Sequence, residues 1–331
     1  MRRLTIFVLV LAAIYSAYWY AGYRALTDGT DAQVAQLQDA GWTVAYEEIA
    51  VQGYPSRFDT SLTNLSVASP DGAIGFAAPF VQALALAYQP NKVILAFPEE
   101  QQVTVAGQDI TVQSSKLRAS AAVAANAALE LDTITAEAPD LRLTLADGQS
   151  FAFTDVLAAV RASGPLPNSY DVYANAQNIV LPARLAAFLT AAGGLPEALE
   201  VATVDATVVL DKRIDRYTLP DWQADPGKLR GLTLRSLTVR WGELAISGDG
   251  EIAVNTVGTP DGTLTLQVTD WQRMLDIALQ TGLVPQNARF MALSMGQTLS
   301  GGEADLDLPL RFQNGNMSLG PVPLGPAPKF H

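Results

Sequence analysis

Beyond residue 42, apolar side chains recur at every second position. Val93, Leu95 and Phe97 alternate with Ile94 and Ala96, Val103 and Val105 flank Thr104, and Leu141, Leu143 and Leu145 flank Arg142 and Thr144. The pattern is cleaner later in the chain. Leu244, Ile246, Gly248, Gly250, Ile252 and Val254 share one parity, followed by Leu264, Leu266 and Val268, then by Leu306, Leu308, Leu310 and Phe312. Such alternation predicts strands with one apolar and one polar face, and therefore mostly antiparallel pairing. Turn signals separate the runs at Pro70-Asp71-Gly72, Asp147-Gly148, Pro260-Asp261-Gly262 and Asn314-Gly315. Between Leu234 and Leu237 the apolar parity shifts by one, which predicts a bulge near Arg235 and Ser236.

Three segments break the period of two and resemble one another, each running from a cap or proline through an apolar stretch to a glycine. They cover residues 153–164, 181–194 and 268–282 and predict helices, with Asp155 and Asp270 as N-caps and Pro182 in a first turn. Their likeness hints at duplication. A fourth helix is predicted over 287–299. The stretch 163–169, Ser-Gly-Pro-Leu-Pro-Asn-Ser, is the best internal boundary. It divides a first β-rich half, 42–165, from a second, 166–331, whose proline-rich tail from Gly320 is extended.

The N-terminus follows another pattern. Residues 4–22 carry no charge, and at 1.5 Å per residue this run reaches about 28 Å, close to the roughly 30 Å hydrocarbon core of a bilayer. Leu4, Ile6, Phe7, Val8, Leu9, Val10, Leu11 and Ile14 favour insertion, while Tyr15, Tyr18, Trp19, Tyr20 and Tyr23 crowd the end where amphipathic rings prefer the headgroup level. Arg2 and Arg3 precede the run and only Arg24 follows it, so the positive-inside rule places the N-terminus in the cytoplasm and the body outside, in the periplasm of a bacterium. A cleaved secretory signal is the competing reading. Its best site, Tyr15-Ser16-Ala17, is weak, and the aromatic cluster beyond it is unlike a signal's polar end. Residues 1–23 are therefore expected to be a retained single-pass anchor. Residues 24–41 predict a separate juxtamembrane helix, capped by Thr30 or Asp31, with Val34, Leu37 and Ala40 on one face and Gly41 just past its end.

Composition narrows the chemistry. The 331 residues include no cysteine and one histidine, the terminal His331. Thiol chemistry and Cys-ligated zinc are excluded, and a histidine-based site would depend on the last residue of the chain. Setting aside Arg2, Arg3 and Arg24, 18 bases face 33 acids, a poor electrostatic partner for nucleic acid or an anionic membrane surface. Charged residues are only 16%, against about 25% in average soluble domains, so much apolar surface must be buried or presented to something apolar.

No motif gathers chemistry. Gly248-Asp249-Gly250 lacks a dinucleotide fingerprint's third glycine, and Asp28-Gly29-Thr30-Asp31 and Asp305-Leu306-Asp307 lack full metal-loop spacing. Glu47-Glu48 and Glu99-Glu100 are adjacent acids, which point to opposite faces of a strand, and Asp205 stands apart from both. Trp42, Trp222, Trp241 and Trp271 are scattered and predict core packing. Gly53-Tyr54-Pro55, ahead of Arg57-Phe58-Asp59, predicts a turn compatible with a cis Tyr-Pro bond.

Taken together, several features resemble an alphaproteobacterial family known only as a domain of unknown function. They are the anchor, the helix ending at Gly41-Trp42, the Gly53-Tyr54-Pro55-Ser56-Arg57-Phe58 element, Trp241-Gly242 with segment 244–268, and the closing Gly-Pro tail. The resemblance extends over nearly the whole chain and carries no catalytic or binding residues with it. More distantly, an anchor followed by one-sided strands is similar to AsmA-like envelope proteins, which are implicated in outer-membrane biogenesis and lipid movement. That likeness is one of architecture. The fold expected is α+β and mainly β: curved antiparallel sheets with a few packed helices behind one transmembrane helix. The function expected is non-enzymatic and needs no cofactor or metal. It is the binding or movement of a lipid or other apolar molecule, with Leu244, Ile246, Ile252, Val254, Leu264, Leu266 and Val268 lining a groove, unless a helix over 271–283, with Trp271, Leu275 and Leu279 recurring every four residues toward the sheet, closes over this face and makes it ordinary core. The alternative is a scaffolding partner of other envelope proteins, with a hydrolase a distant third.

Overall fold

The computed structural model describes residues 1–331 except 165–167, 194, 219–226, 283, 321 and 331. Trp222, His331, the centre of the 163–169 boundary and the glycine ending segment 181–194 lie outside the described residues. The chain forms two compact units. The first is Met1–Val123 with Glu137–Gly148, and the second is Ala124–Ala136 with Gln149–His331.

Unit 1 opens with helix α1 (Arg2–Asp39), followed by β1 (Thr43–Ala45), β2 (Glu48–Gln52), β3 (Arg57–Ala68), β4 (Ile74–Leu86), β5 (Gln89–Ala96), β6 (Glu100–Val105), β7 (Gln108–Gln113) and β8 (Arg118–Val123). Strand β9 (Leu131–Leu145) ends in this unit. β1 and β2 both pair with β3, β3 with β4, and β4 with both β5 and β6; β5 continues to β8, β6 to β7, and β7 to β9.

The anchor and the juxtamembrane segment are one continuous helix, not two. Thr30, expected to cap a second helix, instead donates from its hydroxyl to Leu26 O at 2.8 Å inside the helix, and Asp31 accepts from the Tyr46 hydroxyl. No proline interrupts residues 1–54, and Gly22 and Gly29 each cost only about 1 kcal/mol relative to Ala in a helix. The helix stops as expected at Gly41 (φ +87°), where Trp42 N–H bonds Leu37 O and Gly41 N–H bonds Gln38 O, closing a Schellman motif.

Unit 2 contains β10 (Ser150–Ala162), β11 (Ser169–Val180), α2 (Ala183–Gly193), β12 (Ala198–Leu210), β13 (Leu229–Trp241), β14 (Leu244–Val254) and β15 (Pro260–Val268). It continues through α3 (Trp271–Gln280), a 3₁₀ turn (Gln286–Ala288), α4 (Arg289–Ser300), β16 (Leu306–Gln313), β17 (Asn316–Leu319) and β18 (Val322–Pro326). From β10 to β18 each strand pairs antiparallel with the next, forming a meander.

The helix expected over 153–164 is strand β10. Its partner register runs from Ala152↔Val180 to Ala162↔Tyr170, and Asp155 lies opposite Gln177 instead of capping anything. Leu, Ala and Arg favour helix only weakly, and a segment this apolar fits either period; pairing along the whole strand decides it. The proposed duplication loses one of its three copies. The other helices stand: Asp270 caps α3 by accepting from Arg273 N–H, and α4 lies close to its predicted span. The turn expected at Pro260-Asp261-Gly262 is the start of β15. The chain reverses earlier, where Asn255 Oδ1 accepts from Val257 N–H and Thr259 N–H at 3.0 and 2.9 Å. Asn314 and Gly315, both with positive φ, make the tight β16–β17 turn as expected. The tail is extended, and Phe330 N–H bonds Gly258 O at 2.9 Å.

Three apolar clusters hold unit 2 on the β14–β16 side. Leu189 of α2 and Ile277 of α3 close on Leu195 and Leu244; Trp271, with Leu293 and Leu299 of α4, closes on Val268 and Leu306; Phe330 and Met317 close on Ile252, Val254 and Phe312. Leu244 is 1% exposed, and Leu244→Ala is expected to cost about 2–5 kcal/mol in chemical unfolding of the full chain. A loss below 1 kcal/mol would show that this cluster is looser than its burial implies.

Candidate functional site

In β10–β13 the apolar parity forms rows that cross the strands. Val160, Val172, Ala206 and Leu234 lie in one row; Ala158, Ala174, Val204 and Leu237 in the next; Val156, Ala176, Ala202 and Val239 in a third. These twelve residues are half-buried, except buried Ala206 and exposed Ala158. At one end of the face, Tyr170, aligned with Ala162 and Val208, accepts at its hydroxyl from Ile214 N–H at 2.8 Å.

The seven residues named from sequence as a groove lining continue the same face across β14 and β15, since Val239 aligns with Ile246 and Val268, and Leu237 with Gly248 and Leu266. There, however, α2–α4 and the tail pack on the sheet. Leu244, Ile252, Val254 and Val268 are buried; Ile246 and Leu264 are half-buried members of the clusters; and Leu266, also half-buried, lies against Gly248. Six of the seven pack into these clusters, with Trp271 and Leu275 of α3 among their neighbours, and Leu266 is half-buried outside them. Within this face the more accessible part lies on β10–β13, whose alanine-rich alternation is too faint to single out from sequence.

The opposite face is polar. Asn175 donates to the Thr203 hydroxyl at 2.7 Å, and the Thr207 hydroxyl donates to Asp171 at 2.8 Å. The predicted bulge is present: Ala206 aligns with Leu234 and Asp205 with Ser236, leaving Arg235 as the extra residue. The bulge aims Arg235 back across two strands to pair with Asp205 and, at 2.9 Å, with Asp171, which also binds Arg161 at 3.1 Å. Donation from the Thr207 hydroxyl, reinforced by Arg235 and Arg161, holds the Asp171 carboxyl below the usual carboxylate range. The sequence signalled the bulge but not its carboxylate partners, which come from strands 30 and 64 residues away.

A third arrangement lies in unit 1, where α1 meets the Gly-Tyr-Pro turn between β2 and β3. The half-buried helix positions Ser16, Trp19, Gly22, Tyr23, Thr27, Thr30, Val34 and Leu37 form one stripe, while residues 2–15, including Leu4, Ile6, Phe7, Val8, Leu9, Val10, Leu11 and Ile14, are exposed. Trp19 stacks on Phe58 at 5.6 Å and meets Tyr54 edge-on at 5.4 Å, and its indole N–H donates to Arg57 O at 2.9 Å. Tyr18 donates to Ala87 O at 2.6 Å, and Ser16 and Tyr54 share a hydroxyl hydrogen bond at 2.8 Å. Tyr20, on another side of the helix, is exposed. The Tyr54–Pro55 bond is cis. Phe58, Val51 and Ala87 form a buried cluster beneath Trp19 and Tyr23. A Cβ at Gly22 would overlap the Phe58 ring, so glycine is what lets helix and strand touch.

Other candidates stay apart. Asp28 and Asp31 sit within α1, not in a loop, and among the described residues no group of three or more His, Cys, Asp or Glu converges. Trp271 is buried, and Trp241 is half-buried with its indole N–H on Pro196 O at 2.8 Å. A cavity of about 510 Å³ is lined by residues including Asn255, Thr259, Asn314 and Gly315, away from the apolar rows.

The fold is thus a mainly antiparallel β protein behind one helix long and apolar enough to cross a membrane. Residues 19–328 match the DUF2125 model, described as an uncharacterized protein conserved in bacteria, and the chain belongs to that family. No curated protein and no solved structure matches it.

Two outcomes follow. Gly22→Val should push α1 off Phe58 and destabilise unit 1 by roughly 1–3 kcal/mol in thermal unfolding; an unchanged transition would refute the contact. The lowered Asp171 pKa means its contribution is present above the ordinary carboxylate pKa and is lost as pH falls through the folded value. Asp171→Asn should therefore cost roughly 0.5–1 kcal/mol at neutral pH, given a half-exposed network, and the difference from wild type should vanish in acid.

Proposed function

We propose that the protein is a single-pass, membrane-anchored bacterial envelope protein, with its N-terminus in the cytoplasm and its body in the periplasm. Its half-buried β10–β13 face receives a lipid acyl chain or a similar apolar molecule. The reading is non-enzymatic and assigns no catalytic residue, cofactor or metal. One observation carries it: the apolar rows on β10–β13 extend beyond the clusters that close over β14–β16 and keep partial exposure. Alanine and valine give those rows a low, smooth relief suited to a flexible hydrocarbon, which needs burial but few directed bonds. An anchor followed by one-sided strands is also distantly similar in arrangement to AsmA-like proteins, which is support by analogy. Retention of the N-terminal segment is supported by its contacts, since cleavage after Ala17 would remove Ser16 and its bond to Tyr54.

The second reading is a scaffold on which another envelope protein covers the same rows. It is favoured by the closed clusters under α2–α4, which leave the β14–β16 part of the face with little room for a ligand. Mass spectrometry of gently extracted full-length protein separates the two. Co-purifying lipid is expected, with severalfold less on Val204→Asp, which places a charge in the middle row. Wild-type protein free of lipid would leave the scaffold as the better reading.

A further inference from the structure

The helix and the body of unit 1 meet at a height that the sequence alone does not disclose. Residues 2–15 of α1 are exposed, and the half-buried stripe begins at Ser16. Those 14 residues reach only about 21 Å, short of the roughly 30 Å hydrocarbon thickness. A full span has to draw on the rest of the uncharged run to Gly22, and two tips of unit 1 lie against one side of that stretch, at Ser16, Trp19 and Gly22. One tip is the Gly-Tyr-Pro turn, residues 52–56; the other is the β4–β5 turn, residues 86–90. Ala87 N–H bonds Ser56 O at 2.8 Å, tying the tips together. Tyr54 bonds Ser16 and Ala87 accepts from Tyr18, fixing both tips alongside the helix at those levels.

We propose that these two tips lie in the interfacial layer of the bilayer, so that the body is seated in the membrane surface and not held above it on a stalk. This rests on the anchor reading given above. Ser16 is six residues short of the end of the uncharged run, about 9 Å along the helix axis, a depth that suits headgroups and the first methylenes. The tips have the chemistry for that layer. Neither 52–56 nor 86–90 contains a charged residue, and the first charges on the body side are Arg57, paired with Asp59 at 3.0 Å, and Lys92. Tyr54 and Tyr88 are 58% and 66% exposed and Leu86 is 38% exposed, which is costly in water and favourable between headgroups. Together with Tyr15, Tyr18, Trp19 and Tyr20 they complete an aromatic belt, part on the helix and part on the sheet.

The cysteine-free chain makes the test direct. Tyr88→Cys and Gln89→Cys would each carry a fluorophore on the β4–β5 tip. Gln108→Cys would serve as control on the β6–β7 turn, next to the far end of β4, where Ile74 aligns with Val105 and Val105 with Gln108. The full chain is reconstituted in phosphatidylethanolamine–phosphatidylglycerol vesicles and floated on a density gradient. Expected is strong quenching at 88 and 89 by nitroxide-labelled phospholipid, with severalfold weaker iodide quenching than at 108. Protein that floats but shows iodide access at 88 and 89 equal to that at 108 overturns the proposal while leaving the anchor intact. Protein that fails to float removes the anchor reading and this inference with it.

Discussion

A sheet that is apolar on one side has to find cover for that side, and unit 2 has more apolar sheet than its helices cover. The strict period of two places nearly every even-numbered position of β12 and β14 on the same face, and the neighbouring strands follow through the register. Over β14–β16 the remedy is internal: α2, α3, α4 and the tail bring Leu189, Ile277, Trp271 and Phe330 down onto it. Over β10–β13 the rows remain half-buried. Placement of the helices therefore sets both the core and the surface that is left available.

Polar chemistry on the other face is organised by a local fault in the ladder. The bulge turns the guanidinium onto Asp171 and Asp205 and links β11, β12 and β13 side to side. Such a crosslink, half-exposed and shared among several partners, favours one register more than it adds stability.

Much of this was legible from spacing. The alternating runs at 244–254, 264–268 and 306–312 are strands β14, β15 and β16, the parity slip at 234–237 is the bulge, and Asp270 is a true N-cap. The failures have physical causes. Within 153–164 the centre, Val156 to Val160, is apolar at every position, so neither period is distinguishable there, and only pairing with β11 selects the strand. The break expected near Thr30 depended on a capping residue that instead bonds within the helix. Whether the face of the most regular strands is groove or core stays open in the sequence, because its cover depends on contacts from segments remote in sequence, Leu189 and Phe330 among them. The Gly-Tyr-Pro element was recognisable as a turn; its seat against Trp19 was not, because nothing local links positions 19 and 58.

The meander of unit 2 bears on how the chain reaches this state. Every strand from β10 to β18 is a partner of the one just before it, so pairing stays sequential, although the connection ranges from the tight β13–β14 turn at residues 242–243 to the helical segment 269–305 between β15 and β16. A polypeptide delivered N-terminus first can extend the sheet hairpin by hairpin, each new strand laid on an edge already formed. At β18, Pro323 and Pro326 lack the amide hydrogens that a further strand would use.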